Sequence, residues 1–69
     1  MEISARNSLK GKVKSVSLGT VNSVITIEVA PGVEITAMIT KESAEKLSLA
    51  EGKEAYAVIK ASDVIVAVD

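Results

Sequence analysis

The sequence predicts an all-β fold. Apolar and polar residues alternate at period two from Leu9 to Thr40, the pattern of strands with one wet face. That run is broken by Gly19-Thr20 and Ala30-Pro31-Gly32, residue types that make tight turns. The pattern lapses once more, after Thr40, over a stretch short enough for a single small helix.

The first strand covers Leu9 to Leu18. Leu9, Gly11 and Val13 alternate with Lys10, Lys12 and Lys14, and then the parity flips, because Val16 and Leu18 alternate with Ser15 and Ser17. A one-residue slip moves every later side chain to the other face unless a bulge absorbs it, so a β-bulge is predicted near Lys14-Ser15. The second strand places Val21, Ser23, Ile25, Ile27 and Val29 on one face, with Asn22, Val24, Thr26 and Glu28 on the other. After the Pro31-Gly32 hairpin, Val33, Ile35, Ala37 and Ile39 alternate with Glu34, Thr36, Met38 and Thr40. These three strands read as an antiparallel meander.

Thr40 is a suitable N-cap for a helix over Lys41 to Leu47, with Glu42 in its first turn and Lys46 four residues later. Ala44 and Leu47 form a narrow apolar stripe that could plug the end of a barrel. Gly52 marks the exit turn. Glu54 to Lys60 and Val64 to Val68 read as a fourth and a fifth strand. Neither alternates, being apolar on both faces, and in a small antiparallel domain that implies cover from another subunit. Five strands with a helix between the third and the fourth is the order of an OB-type Greek-key barrel, in one domain spanning residues 1–69.

Composition narrows the function. Sixty-nine residues make one small core, without cysteine for disulfides or histidine for a conventional zinc cluster. Yet 48% of the residues are hydrophobic and the mean hydropathy is +0.36. Oligomerisation is the remaining way to bury that surface. The net charge of −1 is not the footprint of a phosphate-neutralising protein. A single-stranded nucleic-acid surface also needs stacking aromatics, and Tyr56 is the one aromatic residue. No apolar run approaches the ~18 residues of a membrane span, and Met1-Glu2-Ile3 does not open a signal peptide, so the expected location is cytoplasmic.

Enzyme chemistry finds little support. Nucleophilic triads lack their histidine and cysteine, and there is no GxGxxG or P-loop. The carboxylates, Asp63 among them, sit on outward strand positions, on the helix or in turns, and none is spaced as an acid/base pair. What stands out is two donor clusters near opposite ends of the chain. Ser4-Ala5-Arg6-Asn7 offers a hydroxyl, a fixed cation and an amide; Lys60-Ala61-Ser62 offers a second cation and hydroxyl. If strand ends bring them to one rim, Ser4, Arg6, Lys60 and Ser62 suit a tetrahedral dianion, which accepts at every oxygen and donates nothing. A protonated phosphate would leave its hydroxyl without an acceptor in such a donor-only set.

The same residues carry a family resemblance. Ser4-Ala5-Arg6-Asn7-Ser8-Leu9-Lys10-Gly11-Lys12-Val13 resembles the SARNxLxGxV opening of the molbindins, the small molybdate-binding (Mop) proteins, and Val58-Ile59-Lys60-Ala61-Ser62-Asp63-Val64 resembles their closing lysine motif. The resemblance implies OB-type domains in a ring of six, a trimer of dimers, holding molybdate or tungstate between subunits as an intracellular store or buffer. It places the oxyanion site at Ser4, Arg6, Lys60 and Ser62, with Ala5, Ala61 and the Gly19-Thr20-Val21 turn alongside, and Asn7 at a second class of site near the three-fold axis. It implies no organic cofactor, no direct protein–metal ligand, and no nucleic-acid or membrane partner. Two alternatives stand beside it. A structural oligomerisation module would not select molybdate over sulfate, and a nucleic-acid-binding OB domain would retain single-stranded oligonucleotides in a steeply salt-dependent way.

Overall fold

The structure is a computed structural model that describes residues 2–69, leaving Met1 outside the described residues. Four antiparallel strands form one sheet in the order β3-β2-β1-β4: β1 Asn7–Leu18, β2 Asn22–Ala30, β3 Val33–Thr40 and β4 Glu54–Ile59. Helix α1, Lys41–Lys46, joins β3 to β4, and a single 3₁₀ turn, Ala61–Asp63, follows β4.

The parity flip in β1 is resolved as expected. Val13 pairs with Ile27, but Ser15 pairs with Thr26, so the register shifts across Lys14. Val13 and Val16 therefore both pack at the core, although they are three positions apart, an odd spacing that would put them on opposite faces of a regular strand. The bulge bends β1, which pairs with β4 through its first half and with β2 through its second. Gly11 lies hard against the β2 backbone. A Cβ at that position would stand 2.3 Å from the Glu28 carbonyl oxygen, so only glycine fits. Gly32, at φ +76°, supplies the left-handed residue of the β2–β3 hairpin.

Helix α1 starts where its capping residue places it. Thr40 is extended, and its Oγ1 accepts from the Ser43 backbone N–H at 3.1 Å. Ala44 is buried as expected, but Leu47 is more than half exposed, so the helix seals the sheet end through Ala44 alone. The helix stops at Leu47 because Ser48 turns left-handed, at φ 53°. The Lys53 ammonium then donates to the Leu47 and Ser48 carbonyls, at 2.6 and 3.3 Å.

The core is small: Val13, Ile25, Ile27 and Ala57, with a half-buried ring that includes Val16, Ile35 and Ile39. Beside it lies an apolar cleft of about 430 Å³ lined by residues that include Ile25, Ile27, Ile39 and Leu49 together with Tyr56 and Val58 of β4. β3 and β4 are both sheet edges.

The fifth strand does not form. Val64 to Val68 follows the 3₁₀ turn as irregular chain, with Ile65 and Val68 over 90% exposed. The reason is physical: a strand exists only against a partner edge, and this segment meets neither β3 nor β4 within its own chain. The expected five-stranded barrel is thus a four-stranded curled sheet in the single chain.

Candidate functional site

The ladder between β1 and β4 runs from Lys12↔Glu54 to Asn7↔Ile59 and ends there. Residues 3–6 and 60–63 consequently leave the sheet at the same point. Asn7 pins that point, donating from Nδ2 to the Ile59 carbonyl oxygen at 3.3 Å across 52 residues of sequence. Beyond Ile59, Lys60 keeps an extended backbone (φ −65°, ψ 132°), and the chain then tightens into the 3₁₀ turn. The Asp63 N–H donates to the Lys60 carbonyl at 2.9 Å, which holds Lys60, Ser62 and Asp63 around one tight loop.

Between the two departing segments is an open cavity of about 540 Å³. Ser4, Ala5 and Arg6 line one side; Lys60, Ala61 and Ser62 line the other. Arg6 and Lys60 form no ion pair among the described residues, so both charges face solvent and any solute in it. Several other lysines are paired. Lys10 pairs with Glu54 at 3.1 Å, and Lys14 bridges Glu34 and, at 3.8 Å, Glu28. Those pairs raise the Lys10 and Lys14 ammonium pKa, chiefly through the hydrogen bonds to Glu54 and Glu34. Lys10 and Lys14 of β1 are thus matched by carboxylates, whereas Arg6 and Lys60 at the cavity are not.

Not every expected site residue is there. Gly19, Thr20 and Val21 lie beyond the opposite end of β1, where the Val21 carbonyl accepts from the Lys41 N–H at 2.8 Å as α1 begins. Within one chain they do not line the cavity. Asn7 does not line it either, its amide being engaged by Ile59. Three lining residues were not anticipated: Ile3, Val58 and Asp63. Ile3 and Val58 are apolar and carried no chemical signal. Asp63 did carry one, because it directly follows Ser62, yet among so many turn carboxylates it read as solvated charge. It alters the chemistry on offer, since a set read as donors for an anion contains a carboxylate, which when ionised only accepts.

Comparison with known proteins shows the family. The TOBE domain matches residues 3–66, almost the whole chain. The chain belongs to the TOBE-domain family and, within it, to the molbindins. A probable molybdenum-pterin-binding protein of Haemophilus influenzae is 45% identical over 69 residues, covering all of both chains. Molybdenum-pterin-binding protein 1 of Clostridium pasteurianum is 46% identical over 66 residues, 96% of this molbindin and 97% of that protein. Among solved structures, a molybdate-binding protein from Sporomusa ovata superposes with a TM-score of 0.91 at 37% identity, covering 99% of this molbindin and all of that chain. Those relatives are binding proteins by name. Among the described residues, no helix is long and apolar enough to cross a membrane.

Proposed function

We propose that this molbindin binds molybdate, or tungstate of the same charge and shape, in the cavity where residues 3–6 meet residues 60–63. The observation that carries the reading is the convergence of Arg6 and Lys60, free of carboxylate partners, on one cavity with the Ser4 and Ser62 hydroxyls. Two cations and neutral donors meet a tetrahedral dianion at every oxygen, with charge-assisted hydrogen bonds the strongest of the set. The protein acts here as a carrier rather than an enzyme, and no organic cofactor is needed for it.

The working form is a homo-oligomer, a homohexamer built as a trimer of dimers. Support comes from the bare β3 and β4 edges, the apolar cleft between them and the uncovered Val64–Val68 segment. A second copy supplying that segment as a fifth strand would close the OB-type barrel and cover both. An assembled neighbour would also bring its Gly19-Thr20-Val21 turn to the cavity, and Asn7 toward a site of the second class. Reversible binding of this kind suits storage or buffering of the oxyanion in the cytoplasm, the compartment named for a molybdate-binding relative, ModG.

The deciding experiment is titration calorimetry of the purified assembly with molybdate and with sulfate at equal concentration, alongside elemental analysis for molybdenum and tungsten. Selective uptake of molybdate supports the reading. Equal response to both anions would support a purely structural oligomerisation module instead, which the exposed tail would also serve.

A further inference from the structure

Asp63 is the unexpected member of the cavity. It shares the cavity with Arg6 and Lys60 yet pairs with neither among the described residues, and its backbone N–H closes the turn that carries Ser62. Its exposed carboxylate has no ion-pair partner among the described residues and lies at the edge of the space where an anion would sit. A space of about 540 Å³ is about as wide as the screening length of 8–10 Å at physiological ionic strength, so that charge is felt throughout it.

We propose that Asp63 sets which oxyanion the cavity takes, weakening a fully deprotonated dianion and supplying a charged acceptor, stronger than the serine hydroxyls, for a protonated oxygen. The inference rests on the oxyanion reading above and names the residue that tunes it. The physical basis is a difference of two contacts. A carboxylate facing an unprotonated anion oxygen gives only repulsion, which at these distances in a solvated site amounts to a few-fold in affinity. The same carboxylate facing a hydroxyl of hydrogen phosphate accepts a short, charge-assisted hydrogen bond that offsets the repulsion. With Asp63 in place the cavity holds molybdate loosely enough to give it up, at the cost of discriminating less against hydrogen phosphate.

The test is calorimetric titration of the full-length assembly and its Asp63→Asn variant, with sodium molybdate and with phosphate at neutral pH. Asparagine keeps the shape and leaves the Asp63 N–H bond to Lys60 undisturbed. Asp63→Ala is the second variant, expected to shift affinity in the same direction, and an unchanged melting temperature shows that the turn has survived. The expected result is molybdate binding tightened about three- to tenfold in both variants, with no parallel gain for phosphate. Molybdate affinity unchanged or reduced, or both anions tightened alike, would overturn the proposal. If the parent protein itself takes up no molybdate, the oxyanion reading fails first and this one falls with it.

Discussion

Asn7 and Ile59 form the last pair of the β1–β4 ladder, and the Asn7 side-chain amide donates to the Ile59 carbonyl at 3.3 Å. One residue outward on each strand stand Arg6 and Lys60. The backbone positions of the two cations are thus tied together by their immediate neighbours. Asn7→Ala should weaken molybdate binding by about 0.5–1.5 kcal/mol through loss of one neutral hydrogen bond. Arg6→Ala and Lys60→Ala should each cost about 1.5–3 kcal/mol, as charge-assisted contacts do. Calorimetry on the three variants checks the ranking, and Arg6→Ala binding like the parent would remove the site.

Gly11→Ala should be the most damaging small substitution in β1. The new methyl group would lie 2.3 Å from the Glu28 carbonyl oxygen and 3.0 Å from Ile27 Cγ2, so β1 and β2 would have to part. A loss on the order of 2–4 kcal/mol is expected from such overpacking. Thermal unfolding would show it, and a variant that melts with the parent would mean the strands separate freely.

Ser23→Ala should do the opposite. Ser23 is fully buried in β2, and its hydroxyl has no hydrogen-bond partner among the described residues. An orphaned hydroxyl in an apolar core costs about 1–3 kcal/mol, most of which alanine recovers at the loss of a little packing. A melting temperature a few degrees above the parent is the expected outcome. A fall would mean that the hydroxyl finds a partner in the assembled protein.

Alkaline stability should depend on Lys14. Its pKa lies above the ordinary lysine value of 10.5, owing first to the hydrogen bond to Glu34 and then to that carboxylate's charge. A raised folded-state value means the contribution is fully present below 10.5 and is lost as pH climbs through the folded value. The melting temperature should therefore be insensitive to this group near neutrality and decline at high alkaline pH. Lys14→Met would also leave Glu28 and Glu34, which pair directly across β2 and β3, without their shared cation. Its melting temperature should be lower than the parent's in dilute buffer, and the gap should narrow as salt is added.

Ile65→Asp should change the assembly and leave the folded chain intact. Ile65 is 92% exposed in the single chain, so a charge there costs nothing until another copy covers it. Light scattering should find the parent at a multiple of 7.2 kDa and the variant shifted to smaller species at the same micromolar concentration. Identical sizes would place the interface elsewhere.

Local features were legible in the sequence and long-range ones less so. The bulge at Lys14 could be read because Val13 and Val16 break parity within four residues, and the α1 cap because Thr40 precedes the helix directly. The meeting of Ser4-Arg6 with Lys60-Ser62 followed from strand ends sharing a rim. The fifth strand misled because Val64–Val68 has every local preference for β structure, while its state depends on an edge that no local pattern describes. Asp63 was passed over for the same reason: its place beside the cavity depends on Arg6, 57 positions away. Alternation likewise marked Gly11 as inward without revealing how near the Glu28 carbonyl would come.

The antiparallel register from Asn7↔Ile59 to Lys12↔Glu54 has one more implication. Inserting or deleting a single residue in either stretch would turn one flank of the cavity over and slide it past the other. Drift in this protein should therefore proceed by exchange of side chains, with chain-length changes confined to places such as the Pro31-Gly32 hairpin and the Ser48–Gly52 connection, which lie outside the paired stretches.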